Sequence, residues 1–370
     1  MFPLAVSRCA PCGCGGTIPF VTREPLVLDG GVGEGGGQIL RTAVALSAAL
    51  GTPVTVRPIR PRRSPPGLRA QHLAAVRAAA AVCDAECAGA EIGSPEITFR
   101  PRSPRSGRYE FDVGTAGSTT LVCQTVLPAL MLTEGDSTVT VTGGTHNPLA
   151  PCFEYLRDVF ALPASAANLQ AYFAMDRAGF YPAGGGEMSM QVRGVESVEN
   201  LAPLRLASPG TLRYVEGLSA ASAELPRHVV ERQLAQALGR LAKEGLRASI
   251  EEASWETRSP GTVVFLRAVF TQSVGGAFAL GERGKPAERV ADKAADALLA
   301  FLRSGAALDA HAADQLLTLA ALCPHESQFT AQRVTSHLET NAEVVRRMTG
   351  RAVRIEGAPG KPARVTVEGL

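Results

Sequence analysis

The side chains able to do phosphate chemistry are concentrated in one arginine block, six histidines and a few loops. From Thr52 to Cys83 the chain carries Arg57, Arg60, Arg62, Arg63, Arg69 and Arg77 and no acid. A guanidinium offers a fixed fork of donors that matches phosphate oxygens. Such a block therefore fits a phosphate-rich partner, or else a solvated basic face. His337 follows Thr335 and Ser336 just after a strand pattern, where the two hydroxyls can cap the next helix. An imidazole there is either structural or a nucleophile, and the same two readings apply to His72, His146, His228, His311 and His325.

The segment 29-DGGVGEGGGQILRT-42 contains Gly31-x-Gly33-x-x-Gly36 between an apolar strand pattern and an Ala-rich helix pattern, the context of a dinucleotide loop. A dinucleotide fold also needs an acid at the end of the next strand, or an Arg for a 2'-phosphate. Arg57-Pro58-Ile59-Arg60 stands there, so an NAD reading fails and an NADP-linked oxidoreductase survives. Against it, the rest of the chain repeats the first unit with different turns and does not continue as a doubly wound sheet.

The elements that must position these groups belong to a chain of 370 residues, 45% hydrophobic and 19% charged, long enough for two or three cores. No apolar run approaches the roughly 18 residues of a membrane span, and the first 25 residues lack the apolar core of a secretory signal. The expectation is a cytoplasmic protein without a membrane partner; its oligomeric state is not legible. Aromatic residues make up only 5%, which favours grip on a strand end or a small ligand over a long stacking platform. Eight irregularly spaced cysteines are not a disulfide framework. Cys9, Cys12 and Cys14 lack a fourth ligand for a closed metal site, so residues 1–25 are expected to be a disordered extension.

Three segments repeat one order of strands and helices, beginning near Leu26, Tyr109 and Ala312. The predicted fold is α/β (α+β): a large domain of three repeated α/β units over 26–192 and 275–370, with a smaller α/β domain inserted at 193–274. In each unit the loop after the middle strand carries reactive or phosphate-binding side chains: Arg60 to Gly67, Gly143 to Asn147, and Thr335 to His337. Units packed around one axis would turn these loops toward one cleft.

In order along the chain stand DGGVGEGGGQILR, IRPRRSPPGLRAQHL, GTAGS with QTVLPAL, GGTHNPLAP, GFYPAGGG, PRHVVER, HAADQL and TSHLETN. Together they resemble the RNA 3'-terminal phosphate cyclases, from Val27 to Glu368. The resemblance implies an enzyme that uses ATP to turn an RNA 3'-phosphate into a 2',3'-cyclic phosphate, releasing AMP and pyrophosphate. It places the nucleophile on His337 and the adenylate pocket on Gln124, Pro151, His311, Ala312, Ala313, Asp314 and Gln315. Other active-site residues fall on Glu34, Arg41, Arg60, Arg63, His72 and Asp314, with Arg60, Arg63 and Gln71 on the RNA. A divalent cation, Mg or Mn, is implied as well. Either Glu34 or Asp314 suits metal binding or orientation of His337. Pro65 and His146 depart from the family's pattern, which alters the phosphate contacts expected of those two loops. The competing reading is the family's non-catalytic branch, cyclase-like RNA-binding factors in ribosome assembly; the presence of His337 favours the enzyme.

Overall fold

The structure, a computed structural model, describes residues 24–369. The expectation about the cysteine-containing extension falls mostly outside them.

Three four-stranded sheets share one plan. The first unit comprises β1 (Leu26–Leu28), α1 (Gln38–Leu50), β2 (Val54–Val56), α2 (Ala70–Cys83), β3 (Glu86–Ala88) and β4 (Ile97–Arg100). β1 pairs parallel with β2, which pairs antiparallel with β4, which pairs antiparallel with β3. The second unit repeats this with β5 (Arg108–Asp112), α3 (Thr119–Met131) and β6 (Asp136–Gly143). A broken helical segment follows, α4 (Phe153–Tyr155), a π-helical stretch Leu156–Phe160 and α5 (Ala161–Ala166), before β7 (Gln170–Arg177) and β8 (Gly186–Arg193) close the sheet.

The third unit opens with β9, only Arg205–Leu206. Then comes a separate sheet of β10 (Leu212–Ser222), β11 (Ala248–Trp255), β12 (Thr262–Phe270) and β13 (Val274–Leu280), with α6 (His228–Ala242) and α7 (Ala287–Ser304). The third unit resumes with α8 (Ala310–Ala320), β14 (Ser327–Ala331), α9 (Ser336–Thr349), β15 (Val353–Glu356) and β16 (Ala363–Val367). β9 pairs parallel with β14, giving the same strand plan a third time. The expected insertion limits, 193 and 274, differ from this pairing: the chain leaves the third sheet after Leu206 and returns after α7. The insertion lies between the first strand and first helix of the third unit.

Local sequence accounts for these elements. β6 reads Asp-Ser-Thr-Val-Thr-Val-Thr-Gly, and its burial alternates with period two, placing Val139 and Val141 in the core. α1 is Ala- and Leu-rich, the best helix formers, and stops at Gly51, whose φ of 66° is the left-handed cap. α7 buries Val290, Ala291, Ala294, Ala295, Leu298 and Leu299, one face of a 3.6-residue helix, against Val264 and Leu266 of β12. The three large units share one continuous core, whereas the inserted sheet has its own. In each large unit the parallel pair ends at one rim, and the chain leaves that rim through the loops carrying the candidate site residues. Ligands gather at the carboxyl ends of parallel strands for this topological reason.

Candidate active site

α9 begins with its N-terminus at this rim. Thr335 caps it, Oγ1 accepting from the Leu338 amide at 3.0 Å. Ser336 Oγ donates to Glu34 Oε1 at 2.7 Å, and Arg63 Nη2 donates to Glu34 Oε2 at 3.1 Å. His337 Nε2 stands 3.7 Å from that same Oε2, beyond hydrogen-bond length, so no hydrogen bond ties this ring nitrogen to the carboxylate. The His337 side chain is 42% exposed. Gln38 Nε2 donates to the His337 carbonyl at 3.5 Å, tying the first turn of α1 to the first turn of α9.

The glycine loop makes this approach possible. At Gly33, φ is +61°, and a Cβ there would overlap Thr340 Oγ1, which donates to the Ser336 carbonyl at 2.6 Å. The loop therefore lies flat across the start of α9 and delivers Glu34 to His337. Gly37 is equally close to the His72 ring. Gly37→Ala forces the two apart, and an overpacked contact of this kind costs about 1–3 kcal/mol. Urea unfolding should show the unfolding free energy lowered by that amount, with a lower midpoint; an unchanged midpoint means that the ring moves freely.

Electrostatics follow from the packing. Burial, with Arg41, His311 and Arg63 nearby, pushes the His337 imidazole below its ordinary 6.5, although Glu34 opposes the shift. Glu34 lies below the usual carboxylate value, first because Ser336 donates to it and then because of His337 and Arg63. His72, buried beside Arg41, Arg60 and Arg69, falls to about 3 and is a neutral ring. Burial brings Arg41 down to about 10 against the opposing Asp314 carboxyl, so it remains a cation at neutral pH. Asp314 is raised, by burial first and then by Asp309.

A second cluster lies at the start of α8. Asp309 Oδ1 accepts from the amides of His311 (2.9 Å) and Ala312 (3.1 Å) and from Tyr155 Oη (2.6 Å). Its Oδ2 accepts from the Gly276 amide of β13 at 3.1 Å. The His311 ring meets Tyr155 edge-on at 6.2 Å and faces Phe278 at 6.5 Å with a 40° tilt. Gln124 Nε2 donates to Gln315 Oε1 at 2.7 Å, and Pro151 accepts from Thr120 Oγ1 at 2.9 Å. Thr42 donates to Asn341 Oδ1 (2.7 Å), whose amide donates to the Asp314 carbonyl (2.9 Å), so α1, α8 and α9 are locked together. Ala312 and Ala313 are buried in that packing.

One expectation needs correcting. The His146 ring does not reach the cleft: it is 1% exposed, bonded through Nε2 to Glu154 Oε2 at 2.9 Å and flanked by Phe180 and Trp255 at 5.1 Å. Arg60, at φ +50°, turns back on its own loop and donates to the carbonyls of Pro65 (3.1 Å) and Gly67 (2.8 Å). Gln71 stands beside the GTAGS turn, its Oε1 accepting from the Ser118 amide at 3.5 Å. Ser336, Gln38, Asp309 and Phe278 were not singled out as site residues. Only the Ser-His pair after a strand carried a signal for any of them. Neither Glu34 nor Asp314 directs a hydrogen bond to the His337 ring among the described residues.

Among the described residues no three His, Cys, Asp or Glu side chains converge into a metal cage. Glu34 is an accessible, ionised carboxylate beside His337, a donor that suits an Mg-like ion held by one carboxylate plus phosphate oxygens. Buried side-chain polar atoms without partners include Gln38 Oε1 and His72 Nδ1 around the glycine loop and Asn147 Oδ1 beside Ala116. Orphaned buried polar atoms of this kind call for a ligand or water.

Residues 32–355 match the family described as RNA 3'-terminal phosphate cyclase. A protein of that name from Methylococcus capsulatus is 48% identical over 329 residues, 87% of this chain and 90% of its own length. Those from Archaeoglobus fulgidus and Trichormus variabilis are 42% and 41% identical, covering 89% and 86% of this chain and 97% and 92% of their own.

Proposed function

The chain belongs to the RNA 3'-terminal phosphate cyclase family, and from that premise we propose that it uses ATP to close an RNA 3'-phosphate into a 2',3'-cyclic phosphodiester. A 3'-phosphate is a poor electrophile for its neighbouring 2'-OH because it is anionic and lacks a leaving group. His337 Nε2 attacks the α-phosphorus of ATP; the P–N bond forms as the bond to the β-phosphate breaks, and pyrophosphate leaves. An oxygen of the RNA 3'-phosphate then displaces His337 from that phosphorus, leaving adenylate on the RNA end. The 2'-OH attacks the 3'-phosphorus, gives up its proton, and AMP leaves. The observation that carries this reading is the half-exposed His337 imidazole, with its pKa lowered and Nε2 aimed at the Glu34 and Arg63 side.

His311 and Phe278 present two ring faces for adenine, with the Gln124 and Gln315 amides beside them and Pro151, Ala312 and Ala313 in the wall. Arg63 meets the triphosphate and then the RNA phosphate, and the Arg41 cation stands behind it. Arg60 holds the arginine loop in shape, Asp314 and His72 pack beneath Arg41, and Gln71 meets the RNA end. Glu34 would share an Mg or Mn ion with phosphate oxygens; such an ion neutralises charge developing on them. No helix among the described residues is long and apolar enough to cross a membrane, and cytoplasmic residence is part of this proposal.

The test is conversion of a 3'-phosphorylated oligoribonucleotide, with ATP and Mg or Mn, into a phosphatase-resistant end, with AMP released in equal amount. Unchanged phosphatase sensitivity overturns the reading. A pH profile adds a second check. The imidazole must be neutral to attack, and its pKa lies below 6.5. The rate of self-adenylylation should therefore hold as pH falls through 6.5 and drop only below it. An acid limb centred at or above 6.5 contradicts the assignment.

A further inference from the structure

The GFYPAGGG turn between β7 and β8 takes no part in the adenylate chemistry, yet it stands on the same rim, because β7 runs in the direction of β6. Tyr181 at its tip is 67% exposed, and Leu149 on the adjoining loop is 98% exposed at φ +64°. The turn is contiguous with the reaction centre. A Cβ at Gly184 would stand 2.8 Å from the Ala116 Cα, and one at Gly117 would stand 2.8 Å from the Gln71 Cβ. Gln71 precedes His72, whose ring lies on Gly37, and the next residue, Gln38, bonds His337. Asn147, 6% exposed, donates to the Ala116 carbonyl while its Oδ1 is buried without a partner. His72 Nδ1, farther along, is in the same state. At the outer end the Arg258 side chain, exposed and in no ion pair among the described residues, lies across Gly185, where any Cβ would overlap it.

The path from His337 to Arg258 is thus closely packed through small residues, with an exposed aromatic ring and a cation at its outer end. Single-stranded RNA is bound by that combination: bases stack on an aromatic face while Arg meets the backbone. We infer that Tyr181 and Arg258 bind the substrate strand upstream of its reacting end, Tyr181 stacking one base and Arg258 contacting a phosphate. The inference rests on the cyclase reading and assigns the polarity of the strand, from the 3'-end at His337 outward to the inserted sheet.

Steady-state cyclisation of 3'-phosphorylated RNAs of two to ten nucleotides tests it. KM should fall with length and level off at about 4–6 nucleotides, the low end of single-strand site sizes. Tyr181→Ala should raise KM for a hexamer roughly tenfold and Tyr181→Phe should restore it, since stacking needs the ring and not the hydroxyl. Arg258→Ala should raise the hexamer KM and lower the slope of log KM against log salt by about 0.7, one phosphate contact. Dinucleotide KM and self-adenylylation without RNA should stay at wild-type values in all three. Equal KM for dinucleotide and hexamer in the wild type, or hexamer KM unmoved in both alanine variants, overturns the inference. So does a matching loss of self-adenylylation, which reports misfolding of the turn. A wild type that takes up no adenylate and closes no end fails the cyclase reading itself.

Discussion

His337→Ala should take up no label from α-labelled ATP, with Mg or Mn present and RNA absent, while the wild type acquires an acid-labile, alkali-stable adenylate. The expected loss is on the order of 10⁴-fold or more, because removing a nucleophile removes the covalent route and leaves only binding. No neighbouring group can replace it. Glu34 is held by Ser336 and Arg63, and its carboxylate would give a mixed anhydride, which alkali destroys. Arg63 is a cation, and Ser336 Oγ is donated to Glu34. Ser336→Ala and Glu34→Gln should retain measurable labelling, since each shapes the surroundings of Nε2 without forming the bond. Glu34→Gln should also weaken the dependence on Mg or Mn. Undiminished label in His337→Ala would move the nucleophile elsewhere.

The part of this site that could be read from sequence is the part written locally. Ser336-His337 after a strand, the glycine loop with Glu34 and Arg41, and the acid-free arginine block stand out because each is a short run of unusual composition. The repeat was legible for the same reason, since α1, α2, α3 and β6 have clear periods. β9 was not, because two residues, Arg205 and Leu206, carry no period at all. β11 hid behind Glu251 and Glu252, adjacent acids that are both exposed because the strand lies at the sheet edge, and β13 behind the adjacent Gly275 and Gly276, a residue type poor in strands. Those glycines are packing devices: a Cβ at Gly275 would overlap the Phe301 ring. His146 misled for the opposite reason. Its loop looks reactive, but Trp255 arrives from the inserted sheet and Glu154 from α4, partners that no local pattern announces. Arg60 belongs to a run that reads as phosphate-binding, and the folded chain adds that its guanidinium, after a left-handed turn, also holds the loop's own carbonyls.

Asp309 is the strongest case of a function that only the folded chain displays, and Asp309→Ala should have the largest effect of any substitution outside the phosphate cluster. Its side chain is 2% exposed and accepts four hydrogen bonds, from His311, Ala312, Tyr155 and Gly276. Alanine leaves those donors facing a small apolar cavity. Unsatisfied buried donors cost about 1–3 kcal/mol each, and with partial relaxation the sum should be about 4 kcal/mol in urea unfolding. Binding should suffer separately. His311 rides on the helix that Asp309 caps, and Phe278 lies two residues beyond Gly276 on the strand that Asp309 holds. One carboxylate therefore sets the separation of the two rings proposed to face adenine. Losing it should raise KM for ATP in self-adenylylation roughly tenfold, about 1.4 kcal/mol of binding, with a smaller change in the rate at saturating ATP. Asp309→Asn keeps one acceptor oxygen for the helix amides but turns an amide N–H toward Gly276 or Tyr155, so it should fall between the two. Tyr155→Phe removes a single donor and should cost about 1 kcal/mol. If Asp309→Ala unfolds at the wild-type urea concentration and keeps the wild-type KM for ATP, the carboxylate does not join the two walls. A stability loss without a KM change would confine Asp309 to capping α8.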